Sequence, residues 1–381
     1  MTSCERAPYL AFFTACCLSK TAKTRLEVME ITHTWPNVLD QLLGAEELSM
    51  AQAAWAMNEI ITGNASDAQI GGFLTLLAAK GVSVNEIVGF RDAILDTAMP
   101  VGLGPDCVDI VGTGGDRFGT FNVSTTASII TAATGVPVVK HGNRAVSSKS
   151  GASDVLTELG VDLDYQSDHI TSVFEQTNIS FVWAAKFLSG FRHVAKARAD
   201  LGIPTVFNFL GPLCNPVRPE ANAVGVADLR QAPLLAGVFQ FRGASALVFR
   251  GDDGLDELST TGHSHIWEVS RGSITEHDID PRDVGLPVAK IADLIGGTPA
   301  ENAVTIRRIL EGEQGPARDI ALLNAAAGMV AYDLYKDPAT AELGMHQRLQ
   351  SKIEIAADAV DSGRALDQLA RWSKATHPAG A

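Results

Sequence analysis

Glycine, hydroxyl and charge are concentrated in three short stretches of this 381-residue chain. The first reads GTGGD, Gly112–Asp116, and runs into NVST, Asn122–Thr125, where an apolar helical pattern begins. Glycines let backbone amides turn at positive φ and approach an anion closely. Free amides at a helix start, with the Ser124 and Thr125 hydroxyls beside them, would cradle a phosphate. The same residues also suit a plain strand-to-helix turn capped by Ser124. A dinucleotide fingerprint is excluded, because it needs glycine where Arg117 stands.

The second stretch, KHGNRAVSSKSGASD, gathers Lys140, His141, Arg144 and Lys149 with Asn143, Ser147, Ser148 and Ser150. A Walker A loop is excluded by Asn143 and Ser148, which occupy its two glycine positions. The run follows the apolar strand VPVV, so a polyanion site competes with a solvated charged face. His141 fits either a ligand contact or a structural role.

The third stretch, GDDGLDELS, clusters Asp252, Asp253, Asp256 and Glu257 after a strand end. Its spacing does not meet the EF-hand pattern, and magnesium beside phosphates competes with an exposed acidic turn. Two anion loops and a carboxylate cluster together imply a ligand with several phosphates bridged by Mg²⁺. No Cys-His or Ser-His-Asp arrangement supports covalent catalysis. The Pro- and Gly-dense FNFLGPLCNPVRPEAN, Phe207–Asn222, reads as an irregular scaffold loop in which Asn208 or Asn215 bonds its own backbone. Arg198 reads as a surface arginine or a bidentate carboxylate partner.

Bulk composition restricts the partners. The chain carries 30 Lys+Arg against 44 Asp+Glu, a net charge of -14, which argues against nucleic acid as a ligand. No apolar run reaches the roughly 20 residues of a membrane-spanning helix. The five cysteines (Cys4, Cys16, Cys17, Cys107 and Cys214) are odd in number and match no zinc spacing, so a reducing, cytoplasmic setting is expected. Residues 1–34 are expected to be a disordered extension, or to lie upstream of a start at Met29.

The elements that must hold these stretches follow from periodicity. From Trp35 to Met99 three short amphipathic helices are predicted, two opened by capping boxes at Ser66/Gln69 and Ser83/Glu86. CVDIVG, VPVVKHG, ISFVWAA and ASALVFRG then read as strands with helical patterns between them. That rhythm predicts an α/β fold: a small N-terminal helical domain over 35–104, then a larger domain over 105–373. The larger domain has a mostly parallel central sheet flanked by helices. Ligands in such sheets sit beyond the carboxyl ends of the strands. Ala325 to Ala327, in the helical DIALLNAAAGMVAYDLY, suit close helix packing.

GTGGD, NVST, KHGNRAVSSKSG, FNFLGPLCNP and DGLDELS occur in an order that resembles the anthranilate phosphoribosyltransferases. These share a fold with pyrimidine nucleoside phosphorylases, and the likeness covers about residues 35 to 373. The resemblance implies binding of phosphoribosyl pyrophosphate (PRPP) by Gly112, Gly115, Asp116, Thr120, Asn122, Val123, Ser124 and Thr125. It adds the loop Lys140, His141, Gly142, Asn143, Arg144, Ala145, Val146, Ser147 and Ser148, with Ala152 beyond it. It implies Mg²⁺ at Ser124, Asp256 and Glu257, and anthranilate at Gly112, Asn143 and Arg198. It further implies a homodimer through the helical domain, with helices near 190–220 packing on that domain. Two positions depart from the family pattern. Ala152, followed by Ser153, replaces a serine, and Leu188-Ser189 replaces a His-Pro pair lining the acceptor channel. The second departure leaves open a related phosphoribosyltransferase or nucleoside phosphorylase with another acceptor.

Overall fold

Among the described residues helices come first, and strands enter only at Val108. In a computed structural model that describes residues 33–144, 149–164 and 167–377, four helices come first. They are α1 (Trp35–Leu43), α2 (Met50–Ile61), α3 (Asp67–Lys80) and α4 (Val84–Asp96). Periodicity predicted three; α1 is the addition. It buries only Trp35, Val38 and Leu42, too few apolar positions to stand out as a repeat. The extension over 1–34 falls almost wholly outside the described residues.

The capping boxes at Ser66/Gln69 and Ser83/Glu86 form as expected, and Ser49/Gln52 makes a third. Each supplies partners to amides that a helix start leaves open. Glu86 does more than cap. Its carboxylate accepts the Leu48 amide at 2.9 Å and pairs with Lys80 at 3.0 Å, tying three segments of the bundle.

The remainder alternates. β1 (Val108–Gly112), α5 (Val123–Ala133), β2 (Val138–Gly142), α6 (Ala152–Glu158), α7 (Ser167–Thr177) and β3 (Ile179–Trp183) come first. α8 (Ala184–Phe187), α9 (Arg192–Leu201), β4 (Ala221–Gly225), α10 (Ala232–Arg242) and β5 (Ser245–Gly251) follow. A hairpin, β6 (Ser264–Ser270) and β7 (Ser273–Ile279), precedes α11 (Pro299–Leu310), α12 (Pro316–Lys336), α13 (Met345–Asp361) and α14 (Arg364–Thr376). The strand order is β3-β2-β1-β4-β5-β6-β7. The first five strands run parallel and the last two antiparallel. The sheet is therefore mostly parallel, as the alternating pattern predicted. The supposed loop Phe207–Asn222 ends sooner than expected, because Ala221 and Asn222 already belong to β4.

Both faces of the five parallel strands are buried, and strand parity divides the core in two. Leu247 and Phe249 of β5 face α5 and the C-terminal helices, while Ala246 and Val248 face α4, α9 and α10. On the first face, α12 lies close to α5. Gly328 leaves no room for a Cβ against Ile110, Ala325–Ala327 are fully buried, and the Thr131 hydroxyl donates to the Ala325 carbonyl at 3.3 Å.

Candidate active site

The carboxyl ends of β1 and β2 open onto one cleft of about 390 Å³, which continues into a second of about 380 Å³. Register explains the convergence. Gly112 of β1 pairs with Gly225 of β4, and a Cβ on either would overlap Asp256. Asp256 is thus seated over two bare backbones at the sheet's end. Its Oδ2 accepts the Gly114 amide at 2.7 Å. Gly114 and Gly115 both adopt positive φ, 69° and 88°, which folds the GTGGD loop back over the strand end.

Three carboxyl groups meet beneath that loop. Asp116, Asp256 and Glu257 lie close enough for their charges to act on one another. Burial pushes all three carboxyls up, and mutual repulsion pushes Asp256 and Glu257 further. Such a set holds protons until a cation replaces them. Among the described residues no three His, Cys, Asp or Glu side chains are grouped to hold a metal ion by themselves. Magnesium would accordingly need oxygens from a bound ligand, its usual mode of binding beside phosphates. The donor set fits that ion.

Asp252 and Asp253 do not join this set. Asp252 is exposed. The Asp253 carboxylate is occupied by the Ser259 and Thr261 hydroxyls at 2.6 and 2.5 Å and the Leu255 amide at 2.9 Å. It braces the turn that presents Asp256.

Helix α5 begins at Val123 with Asn122 as its N-cap, so Ser124 is not the cap that a plain turn would use. Asn122 Oδ1 instead accepts the Ser150 hydroxyl and the Asn302 amide, both at 2.9 Å. That fastens the helix start to the second anion loop and to α11. The Thr125 hydroxyl, on the cleft wall, is buried without a partner among the described residues. Thr120 pairs with Ile295 in an isolated bridge on the second cleft.

The basic loop is less cationic than its sequence. Lys140 is buried; its Nζ donates to the Ile110 carbonyl at 2.6 Å and the Ser124 hydroxyl at 3.2 Å. Burial draws its ammonium down from the ordinary lysine value. His141 is also buried, with Nδ1 3.2 Å from the Gly211 carbonyl, and burial lowers its ring to about 4. It is a neutral imidazole whose Nε2 has no partner among the described residues and lies at the cleft wall. Arg144 and Lys149 supply the exposed charge. Gly142 passes over Phe181, whose ring a Cβ would meet at 2.9 Å, and Ala152 opens α6 on the cleft wall. Ala145, Val146, Ser147 and Ser148 lie outside the described residues.

The far end of the cleft is different in character. Phe191, Phe207 and Ala184 wall it, and Arg198 of α9 reaches in. The two phenyl rings meet edge to face at 5.4 Å, and the Arg198 guanidinium lies 5.6 Å from the Phe207 centroid. No carboxylate pairs with Arg198 among the described residues. Leu188 is buried in the helical core and Ser189 is exposed; neither lines the cleft.

A family model described as the helical bundle domain of a glycosyl transferase family matches residues 36–98. The α/β domain model of the same family matches 104–366. An anthranilate phosphoribosyltransferase from Leifsonia xyli subsp. xyli is 58% identical over 348 residues, covering 91% of this chain and all of that protein. The chain belongs to the anthranilate phosphoribosyltransferase family. The Thermus thermophilus member superposes with a TM-score of 0.81 at 36% identity, covering 89% of this chain and 99% of that one. The Saccharomyces cerevisiae member, solved in complex with PRPP and Mg, gives 0.80 at 29% identity, covering 90% and 97%.

The fold and order of motifs in this family were legible in sequence; several supports of the site were not. Asp109 is fully buried and burial raises it to about 6; it accepts the His141 amide at 3.1 Å and Asn215 Nδ2 at 2.9 Å. Asn215 also donates to the Val139 carbonyl at 2.9 Å, so the supposed scaffold loop locks β1 to β2. The sequence signal was an aspartate inside an otherwise apolar strand, CVDIVG, which demands a buried partner.

Proposed function

We propose that this protein transfers the phosphoribosyl group of PRPP to anthranilate, yielding N-(5-phosphoribosyl)anthranilate and pyrophosphate in tryptophan biosynthesis. One observation carries the reading: a single cleft has an anion-binding end and, opposite it, an aromatic slot closed by an arginine with no carboxylate partner among the described residues. The first end suits a polyphosphate; the second suits a flat aromatic carboxylate.

PRPP lies along Gly112–Thr125 and the Lys140–Ser148 loop, with the α5 amides and the Ser124 and Thr125 hydroxyls on its phosphates. Ser124, Asp256 and Glu257 would hold Mg²⁺ together with ligand oxygens, where the ion would supply neutralising charge for the pyrophosphate leaving group. Arg144 and Lys149 add cationic charge from the loop. Lys140 works from below, orienting Ser124 rather than touching solvent.

Arg198 grips the acceptor carboxylate while Phe191 and Phe207 hold the ring; Asn143 and Gly112 border the amine. The bond from the anomeric carbon to pyrophosphate oxygen breaks, its electron pair leaving with pyrophosphate. The amine lone pair forms the new C–N bond, and its proton passes to solvent. The amine is neutral at pH 7, so positioning and charge stabilisation replace a strong base. The neutral His141 ring, lying at the cleft wall, offers Nε2 as an acceptor there.

We place the homodimer contact on the helical domain, where Leu43 and Met50 are exposed. A cytoplasmic setting accords with Cys107 and Cys214, both free and buried. The direct test follows anthranilate fluorescence with PRPP and Mg²⁺ present. Loss of signal that requires both is expected; a constant signal with all three present sinks the reading. The alternative, another acceptor, is motivated by Leu188 and Ser189, which stand between the cleft-wall residues Ala184 and Phe191; turnover of other acceptors with PRPP and none of anthranilate would favour it.

A further inference from the structure

We propose that Trp183 is a positioning residue for the substrate loop: its indole N–H fixes the Asn143 carboxamide and its ring face holds the Arg144 guanidinium. The inference rests on the functional reading above for what those two residues then do.

Trp183 is the last residue of β3, and register sets it beside Gly142 at the end of β2. The loop turns away from the sheet at that point, so the indole is the first side chain able to reach it. Its Nε1 donates to Asn143 Oδ1 at 3.2 Å. The Arg144 amide donates to the same oxygen at 2.9 Å. Two N–H donors at one end of a carboxamide identify that end as oxygen and leave Nδ2 as the end that can donate to a ligand. The Asn143 carbonyl is fixed separately by the Ser153 amide at 3.3 Å. Backbone and side chain of Asn143 are thus both held.

The ring has a second task. The Arg144 guanidinium sits 5.2 Å from its centroid, an attractive cation–π geometry. Arg144 borders both the main cleft and a side groove lined by Asp154, Glu158, Asp162 and Asp164. Without an aromatic platform those carboxylates would draw it off the cleft. Phenylalanine would keep the platform and lose only the donor, so the two tasks separate by substitution.

Trp183→Phe is expected to raise the anthranilate KM about fivefold, the worth of one hydrogen bond, and to leave the PRPP KM unchanged. Trp183→Leu should raise both. In an Asn143→Ala background, Trp183→Phe should have no further effect on the anthranilate KM. A wild-type KM in Trp183→Phe, or an equal factor in both backgrounds, overturns the proposal. A readout independent of turnover comes from the indole ¹⁵N–¹H resonance of Trp183, assigned by its loss in Trp183→Phe. It should move upfield and exchange faster in Asn143→Ala while the resonances of the remaining tryptophans stay put. A stationary resonance overturns the proposal even if the protein turns over nothing. Absent turnover with a moving resonance would sink only the substrate assignment.

Discussion

Arg198 is the residue on which acceptor recognition turns. A guanidinium aimed into an apolar slot, with no carboxylate partner among the described residues, is costly unless a ligand supplies one. Arg198→Ala is expected to raise the anthranilate KM 10- to 100-fold, which corresponds to ~1.5–3 kcal/mol for charged hydrogen bonds. The PRPP KM should scarcely move; steady-state kinetics with each substrate varied would show an equal rise in both if Arg198 merely braced the fold. His141 makes a different prediction. Burial holds its ring at about 4, against 6.5 for the free side chain. Between those values the unfolded chain binds the extra proton, so stability is full above about 6.5 and falls as pH drops toward 4. The loss amounts to ~3 kcal/mol, and His141→Gln should flatten it. Thermal melts of both proteins at pH 4.5 and 7.5 check this, and parallel pH profiles would contradict it. Sequence alone could name both residues but not their states: an arginine's freedom and a histidine's neutrality are set by what surrounds them. Lys140 is the sharper lesson, since a cation in a polar motif became a buried prop for Ser124.

At the scale of elements, legibility followed composition. GTGGD and the capping boxes are local devices, so their residues announce themselves. Strand β4, Ala221–Gly225, is a short run of mostly small side chains; its first two residues fell within the loop reading of Phe207–Asn222 and the other three were assigned to no strand. The β6–β7 hairpin was missed for the opposite reason. SITEHDI is largely polar because β7 is an edge strand with a mostly exposed face, so it lacks the apolar content that marks a buried strand. The missed β4 sets Gly225 directly against the Asp256 backbone. Gly225→Ala would force a Cβ into the Asp256 backbone. Overpacking of this kind costs ~1–3 kcal/mol, and here the strain falls on a proposed magnesium ligand. The variant is expected to melt earlier and to need at least about tenfold more Mg²⁺ for half-maximal rate. Such a shift of about ten equals ~1.4 kcal/mol of lost binding. An unaltered Mg²⁺ titration in a destabilised protein would mean that Asp256 moves without consequence for the metal.

For the whole molecule, two domains by sequence need not mean two folding units. Residues Thr34–Ala381 form one compact body, and one of its cores is shared. Trp35, Phe73 and Phe90 of the helical domain belong to the same buried cluster as Val224, Val248 and Trp267 of the sheet, and Phe207 is a further member. Helix α9, which carries Arg198, lies against α2 and α3, with Lys196 3.2 Å from Asp67. The N-terminal helices therefore cover one face of the sheet and also back the acceptor slot. Cutting the chain near residue 104 would expose both halves of that cluster, at ~25 cal/mol per Å² of apolar surface returned to water. A domain of some 70 residues has little stability to spare against such a loss. The intact protein is expected to unfold in a single transition by circular dichroism and tryptophan fluorescence. Fragments 33–104 and 105–377 should each fail to give a cooperative melt, and mixing them should recover structure in both. A fragment 33–104 that melts cooperatively alone would show that the helical domain is an independent unit, and that the shared core is contact without dependence.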